Sequence, residues 1–145
     1  MRSTALFAAA CAAAVALPAR AQTPRESVLA RLDSVARGGY VTDARPIGRA
    51  SVLGELPREG SVRLEMTLRA GRRYRIVAAC DRECVDLDLR AYSADGATVL
   101  AEDVEADARP VLSFVAYADG PHLLSVMMAG CRDEYCAFGV RVLAR

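Results

Sequence analysis

The sequence predicts an all-β protein, an antiparallel two-sheet β-sandwich of jelly-roll type with about eight short strands, preceded by one short α-helix. Three features predict this fold. From about Arg49 onward, apolar residues recur at every second position. The dipeptides Asp95-Gly96 and Asp119-Gly120 are typical of tight hairpin turns between such runs. Four cysteines lie within the alternating region, as in small exported domains that supplement their core with disulfides.

The first 21 residues are typical of a signal peptide. Arg2 precedes an apolar run over residues 5–17, and Ala19-Arg20-Ala21 forms a small-x-small cleavage site. We therefore expect export to the periplasm or the medium, and a mature chain that begins at Gln22. The run is too short to cross a bilayer and no later segment is apolar enough, so we expect no membrane span in the mature chain.

The charge of the mature chain argues against a nucleic-acid partner. Removal of the signal peptide leaves seventeen arginines, no lysine and eighteen acidic residues, a net charge of −1. A nucleic-acid-binding domain normally carries a basic face, which this near-neutral composition does not supply.

Residues 22–48 are predicted to form a helix and a linker, and residues 49–145 the sandwich domain. Thr23 can cap the helix, Pro24 suits its first turn, and Gly38-Gly39 ends it. An apolar stripe along the helix consists of Val28, Leu29, Leu32, Val35 and Ala36. The stripe favours a helix packed on the domain, and a helix that docks on a partner is the alternative.

The strands follow from alternation. The run SVRLEMTL places Val62, Leu64, Met66 and Leu68 on one face, RYRIVAAC continues with Tyr74, Ile76 and Ala78, and VDLDLRAY places Val85, Leu87, Leu89 and Ala91 inward. The runs ASVLGEL, PVLSFVAYA, PHLLSVMMA and FGVRVL complete the set, with PVLSFVAYA and PHLLSVMMA joined at Asp119-Gly120.

The cysteines of the mature chain are Cys80, Cys84, Cys131 and Cys136. An even number in an exported protein predicts disulfides, and the spacings C-x3-C and C-x4-C match neither a zinc knuckle nor a C-x-x-C redox motif. We predict the local pairs Cys80–Cys84 and Cys131–Cys136, each joining the ends of adjacent strands, because a short turn brings two Cα atoms within disulfide range. Residues 81–83 would then form an exposed tip. Long-range pairing is the alternative, since it would stabilise the fold more.

The runs AGRRYRIVAACDRECVDLDLRAYSADGATVLAEDVEADARPVLSF and DGPHLLSVMMAGCRDEYCAFGV contain an A-G-x-x-Y strand, a D-L-D-L strand and a D-G turn. In these features residues 60–143 resemble the bacterial pre-peptidase C-terminal domain family, in its branch of small exported proteins with cysteines. The resemblance implies a β-sandwich module that accompanies secreted peptidases and is not itself catalytic. His122 departs from the family pattern, which commonly has Tyr in the last strand.

Carboxylates are the main candidates for a metal site. Asp86 and Asp88 lie on one face of one strand, and Asp103 and Asp107 lie in an acidic loop, so these four residues are the candidates for calcium. The spacing matches no known calcium loop, and we expect solvated carboxylates and no cofactor. A small hydrolase that uses Asp86 and Asp88 is a further alternative.

His122 is the single histidine, and alternation places it on the inward face with Leu124, Val126 and Met128, so we interpret it as a core residue near a strand end. Outward Tyr92 and Tyr117 form only a thin aromatic platform for sugars. We therefore predict no catalytic residue and no enzyme activity. The predicted function is an exported, non-catalytic module that binds or supports a protein or an envelope polymer, and a calcium-dependent adhesion module is the alternative.

Overall fold

The computed structural model describes residues 22–37, 45–46 and 51–144. The predicted signal peptide and the predicted helix stop at Gly38-Gly39 lie outside these residues. The elements in chain order are α1 (Pro24–Arg37), β1 (Arg45–Pro46), β2 (Val52–Pro57), β3 (Ser61–Leu68), β4 (Arg73–Cys80), β5 (Cys84–Tyr92), β6 (Val99–Asp103), β7 (Val111–Val115), β8 (Gly120–Cys131) and β9 (Tyr135–Ala144).

The strands form two antiparallel sheets. In sheet I the order is β1-β9-β4-β7, and β2 also pairs with β9 on the same side as β1; in sheet II the order is β3-β8-β5-β6. If the eight longer strands, β2 to β9, are numbered from one to eight, sheet I contains the strands 1, 8, 3 and 6 in that order. Sheet II contains the strands 2, 7, 4 and 5. This alternation between sheets is the jelly-roll order, so the predicted fold class is confirmed. The two-residue strand β1 falls in the segment predicted as a linker.

One of the two predicted hairpins is wrong. Asp95-Gly96 does join the paired strands β5 and β6, and Ser93 N donates to Thr98 O at 2.9 Å across the turn. Asp119-Gly120 instead joins β7 of sheet I to β8 of sheet II. Gly120 has a φ of 107°, so it reverses the chain as predicted. A turn dipeptide specifies a reversal, whereas the sheet that each strand joins depends on tertiary pairing.

The main core lies between the sheets and is built from inward residues of β4, β7 and β9 in sheet I and of β3, β5 and β8 in sheet II. Tyr74, Ile76, Leu87, Leu89 and Val126 are each 1% exposed or less. The inward residues of β3 are less buried, since among them only Leu68 is fully covered. The edge of the sandwich at β3 is therefore partly open.

Val85 departs from the predicted face. It is 42% exposed, whereas Leu87, Leu89 and Ala91 lie inward as expected. The pairing of β5 with β8 shifts register between Cys84 and Asp86, and Cys84 is buried. Because the disulfide requires Cys84 to point inward, the irregularity changes the phase of the strand and turns Val85 outward.

The helix α1 covers the outer face of sheet I, as the strut interpretation predicts. Thr23 and Glu26 form a reciprocal capping box, with Thr23 N donating to Glu26 Oε2 at 2.9 Å and Glu26 N to Thr23 Oγ1 at 3.3 Å. Val28 and Leu32 are fully buried in a second apolar cluster, on the sheet face opposite the main core. Gly139 of β9 permits the close approach, because a Cβ there would meet Leu32 Cδ1 and Val28 Cγ1 at 2.7 Å. No described helix is long and apolar enough to cross a membrane.

Candidate functional site

Two disulfides lie side by side at one end of the sandwich. The structure contains Cys80–Cys84 and Cys131–Cys136, with Cα–Cα distances of 5.8 and 6.0 Å, so the predicted local pairing is confirmed. Cys84 and Cys131 are cross-strand partners in sheet II. Cys80 and Cys136 belong to β4 and β9 of sheet I. Each disulfide therefore joins the two sheets to each other, where the sequence predicted a link between adjacent strands.

Asp81 lies inside this end. The prediction that it belongs to an exposed tip is therefore wrong. Asp81 is 7% exposed. Its Oδ1 accepts hydrogen bonds from Glu83 N and Cys84 N at 3.2 Å each, and its Oδ2 accepts one from Ala137 N at 2.7 Å. Asp81 N in turn donates to Ala137 O at 2.9 Å. The aspartate thus closes its own loop and ties that loop to β9.

This role of Asp81 was not predicted from the sequence, although the sequence contains a local signal for two of its three hydrogen bonds. An aspartate that begins a short turn commonly accepts from the backbone N–H groups two or three residues later, and Asp81 stands in that relation to Glu83 and Cys84. The third bond, to Ala137, joins residues 56 positions apart. Only the tertiary fold brings those two residues together.

The loop of residues 132–134 is braced in a similar way. Arg132 N donates to Glu83 O at 2.9 Å, which joins the two loops directly. The guanidinium of Arg58 donates to Cys131 O through Nε at 2.8 Å and also through a second nitrogen. We call residues 81–83 and 132–135, together with the two disulfides, the disulfide-linked end.

The disulfide-linked end presents charge and one aromatic ring on a fixed backbone. The exposed side chains are Arg82, Glu83, Arg132, Asp133, Glu134 and Tyr135. Tyr135 is 54% exposed. Because the backbone of both loops is cross-linked and hydrogen-bonded, these side chains project from an ordered surface.

Two clefts adjoin this end. One of about 260 Å³ lies between the loops and the start of α1, and Asp81, Arg82 and Tyr135 are among its lining residues. The other, of about 350 Å³, runs between α1 and β2. Glu55 and Ala137 line both clefts, so the clefts are neighbours. Gln22 also lines the smaller cleft, which places the predicted first residue of the mature chain beside it.

The four calcium candidates are not assembled into a metal site. Across the described ranges, no three His, Cys, Asp or Glu side chains are placed to hold a metal ion. Asp103 uses Oδ2 to accept from Val111 N at 2.8 Å, and Asp107 uses Oδ1 to accept from Arg109 N at 2.6 Å. These two carboxylates therefore stabilise the connection between β6 and β7.

Asp86 and Asp88 remain as neighbours on the outer face of sheet II. Burial raises the pKa of Asp88, the charges of Asp86 and Asp103 raise it further, and Arg90 opposes them. Asp86 Oδ1 is buried and has no hydrogen-bond partner. The pair thus has one of the features expected of a catalytic site, a carboxyl group that retains its proton more strongly than usual.

The other requirement, convergence with a second type of group, is not met by His122. The imidazole is 2% exposed, and Nδ1 lies 3.1 Å from Gly120 O. It lies on the inner face of sheet II, so the interpretation of His122 as a core residue near a strand end is confirmed. Asp86 and Asp88 lie on the opposite face. Neither of the two clefts is lined by any of these three residues.

The two tyrosines predicted to point outward lie at the opposite end from the disulfides. Tyr117, in the connection from β7 to β8, is 85% exposed, whereas Tyr92 is half-buried at the end of β5. Neither tyrosine lines either cleft described above.

Comparison with known proteins extends the fold assignment. No protein-family model and no curated protein matches the sequence, so the resemblance to the pre-peptidase C-terminal family stays a prediction. Among solved structures, the chain is similar to PliG of Aeromonas hydrophila, a periplasmic inhibitor of g-type lysozyme, with a TM-score of 0.52 and 9% identity over 74% of this chain and 92% of that one. This likeness extends over most of both chains and concerns the fold.

Two other matches are more distant. A carbohydrate-binding module of Cellvibrio mixtus lichenase 5A, solved with cellotriose, has a TM-score of 0.40 and 10% identity, over 68% of this chain and 88% of that one. A glycosylation-associated protein complex of Streptococcus agalactiae has a TM-score of 0.36 and 17% identity, over 75% of this chain and 41% of that one.

Proposed function

We propose that the protein is an exported, non-catalytic binding module whose partner is another protein, bound at the disulfide-linked end. The observation that carries this proposal is the bracing of two short charged loops by two disulfides and by the buried Asp81. Ordered loops lose little conformational entropy when they bind, so more of the contact energy remains as affinity. Arg and Tyr, both exposed here, are residue types that dominate the energetics of protein interfaces.

Export is supported by the predicted signal peptide and by the disulfides, which persist in oxidising compartments. The Aeromonas inhibitor, which has a similar fold, is periplasmic and acts on a protein. A binding role suits this chain better than the hydrolase alternative, because Asp86 and Asp88 lie on the outer face of sheet II and His122 on its inner face, so the three side chains do not converge.

A protein suits the disulfide-linked end better than a glycan does. Its loops carry side chains of both signs, which favours a partner with complementary charges and fixes its orientation. Tyr135 is the single aromatic residue that lines the smaller cleft, and one ring offers little area for sugar stacking. The experiment must therefore distinguish a protein partner from an envelope polymer.

The test is site-specific photo-crosslinking in growing cells. A benzophenone amino acid replaces Tyr135 in one strain and, as the matched control, Tyr117 at the opposite end in another. We expect an adduct of discrete size from position 135 alone, and treatment with muramidase should leave that size unchanged. A muramidase-sensitive adduct would identify an envelope polymer instead, and equal adducts from both positions would contradict the assignment of the site.

Purified protein gives an independent measurement. Thermal melts against g-type lysozyme, peptidoglycan fragments and cello-oligosaccharides test three chemically distinct probes, since a ligand that binds only the folded state raises the midpoint. For a probe that binds, we expect the rise to be retained in Tyr117→Ala and reduced in Arg82→Ala and Tyr135→Ala. A rise that all three variants retain would place binding elsewhere on the molecule.

A further inference from the structure

Strand β3 is an edge of sheet II. It pairs with β8 along all eight of its residues, from Ser61 opposite Met127 to Leu68 opposite Gly120, and no other described strand pairs with it. The register contains no bulge. Bulges, prolines, very short edge strands and charged side chains are the usual means of protecting an edge from pairing, and of these β3 has only the charged side chains Arg63 and Glu65.

The hydrogen-bond phase of β3 determines which backbone groups are free. Met128 N donates to Gly60 O at 2.9 Å, which sets Gly60 as bonded to β8. In an antiparallel ladder bonded residues alternate with residues whose N–H and C=O point the other way. The backbone groups directed away from β8 therefore belong to Ser61, Arg63, Glu65 and Thr67.

The side chains of β3 divide in the same alternating way. Arg63 and Glu65 are exposed on the outer face of the sheet. Val62, Leu64 and Met66 point inward and pack against the core, but each is only partly buried. An added strand would cover these three apolar residues as well as bond the free edge.

We propose that the strand that pairs with this edge is β3 of a second copy of the chain, antiparallel, with a two-fold axis at Leu64. In this register Arg63 lies opposite the partner's Glu65, and Glu65 opposite the partner's Arg63. The axis repeats each contact, so the interface contains two cross-strand ion pairs. The surface is self-complementary in charge.

The backbone accepts the same register. The N–H and C=O groups of Arg63 and Glu65 point away from β8, as do those of Ser61 and Thr67, and no other described strand pairs with them. In the dimer 63 therefore pairs with 65 and 61 with 67 as hydrogen-bonded pairs. About eight inter-chain hydrogen bonds result. A slip by two residues in one direction places Arg63 opposite Arg63, and a slip in the other direction places Glu65 opposite Glu65. The two charges thus select one register and oppose its neighbours.

Charge exchange tests the proposal directly. Sedimentation equilibrium over a concentration series should show a monomer–dimer equilibrium for the protein. Arg63→Glu and Glu65→Arg should each raise the dimer Kd by about tenfold or more, because each places like charges opposite each other twice. Mixing the two variants should restore association as a heterodimer, since each chain then supplies one sign. Arg109→Glu, exposed in the connection between β6 and β7, is the matched control and should leave the Kd unchanged.

Amide hydrogen exchange on the unaltered protein gives a second readout that needs no variant. The amides of Arg63 and Glu65 should exchange slowly at high protein concentration and rapidly on dilution, whereas the bonded amides of Val62 and Leu64 should not depend on concentration. A protein that stays monomeric to its solubility limit would overturn the proposal. So would a mixture of the two charge variants that associates no more tightly than either alone, or edge amides whose exchange is independent of concentration.

Discussion

Replacement of Asp81 by alanine should destabilise the protein more than any other single loss of charge at the disulfide-linked end. The carboxylate accepts three backbone N–H groups, at 3.2, 3.2 and 2.7 Å, and is 7% exposed. Of these donors, the amides of Cys84 and Ala137 are bonded in buried surroundings. In the alanine variant both donors stay buried without an acceptor.

The magnitude follows from those two donors. A buried donor that loses its partner costs about 1–3 kcal/mol, and the third amide, which is closer to solvent, costs less. The variant also no longer buries a charged carboxylate, which offsets part of this loss of stability. We therefore expect Asp81→Ala to lower the free energy of unfolding by about 3 kcal/mol. Asp81→Asn retains one accepting oxygen and should lose about half as much.

The assay is urea unfolding under oxidising conditions, so that both disulfides remain intact in the folded and the unfolded state. Asp133→Ala is the matched control, because it removes an exposed carboxylate from the facing loop and should change stability by less than about 0.5 kcal/mol. If Asp81→Ala lowers the free energy of unfolding no more than Asp133→Ala does, the buried hydrogen bonds of Asp81 do not stabilise the loops, and the disulfide-linked end is not the ordered binding surface proposed above.

Three further predictions concern other parts of the molecule. Gly139→Ala should lower the free energy of unfolding, measured in urea, by about 1–3 kcal/mol, because the added methyl group meets Leu32 of α1. The double variant Gly139→Ala/Leu32→Ala should lose less free energy of unfolding than the sum of the losses in the two single variants. The stability of Asp88→Asn, relative to that of the unaltered protein, should be greater at pH 7 than at pH 3. Burial raises the folded-state pKa of Asp88 above 3.8, so the folded state binds the proton more tightly than the unfolded state does. The unaltered protein loses this stabilisation as the pH rises through the folded-state pKa, whereas the asparagine variant has no such proton to lose. A difference in urea midpoint that is the same at both pH values would contradict this sign. N-terminal sequencing of the protein from the envelope fraction should begin at Gln22, and an intact Met1 in that fraction would refute processing.

Much of the fold is predictable because its signals are local. The alternation in β3 and β4 and the capping residues around Pro24 each act within a few positions, and the structure has those elements at the predicted places. The local disulfides follow from the same kind of reasoning, since sequence separations of four and five residues limit how far two cysteines can move apart.

The candidate site was largely missed because its determinants are not local. The sequence drew attention to Asp86 and Asp88 by their spacing, whereas the structure gives the central role at this end to Asp81, through a bond to a residue 56 positions away. Val85 was placed inward by a period that holds for the rest of β5, and the bulge beside Cys84 reverses it. At Val85 the inward position of the disulfide-bonded Cys84 determines the orientation, and alternation cannot encode it.

The edge at β3 shows why strand order matters for function as well as for fold. In the sequence, Arg63 and Glu65 look like ordinary solvent-facing charges. A central strand with the same two charges would be paired on both sides by strands of its own chain. Only the order β3-β8-β5-β6 leaves their backbone groups without a described partner. The charges then have a second effect, because opposite signs two residues apart on a free edge are attractive in one antiparallel register and repulsive in the adjacent ones. Charges on an edge are usually interpreted as protection against pairing. Here their spacing opposes the wrong registers and leaves one that a second copy of the chain can satisfy.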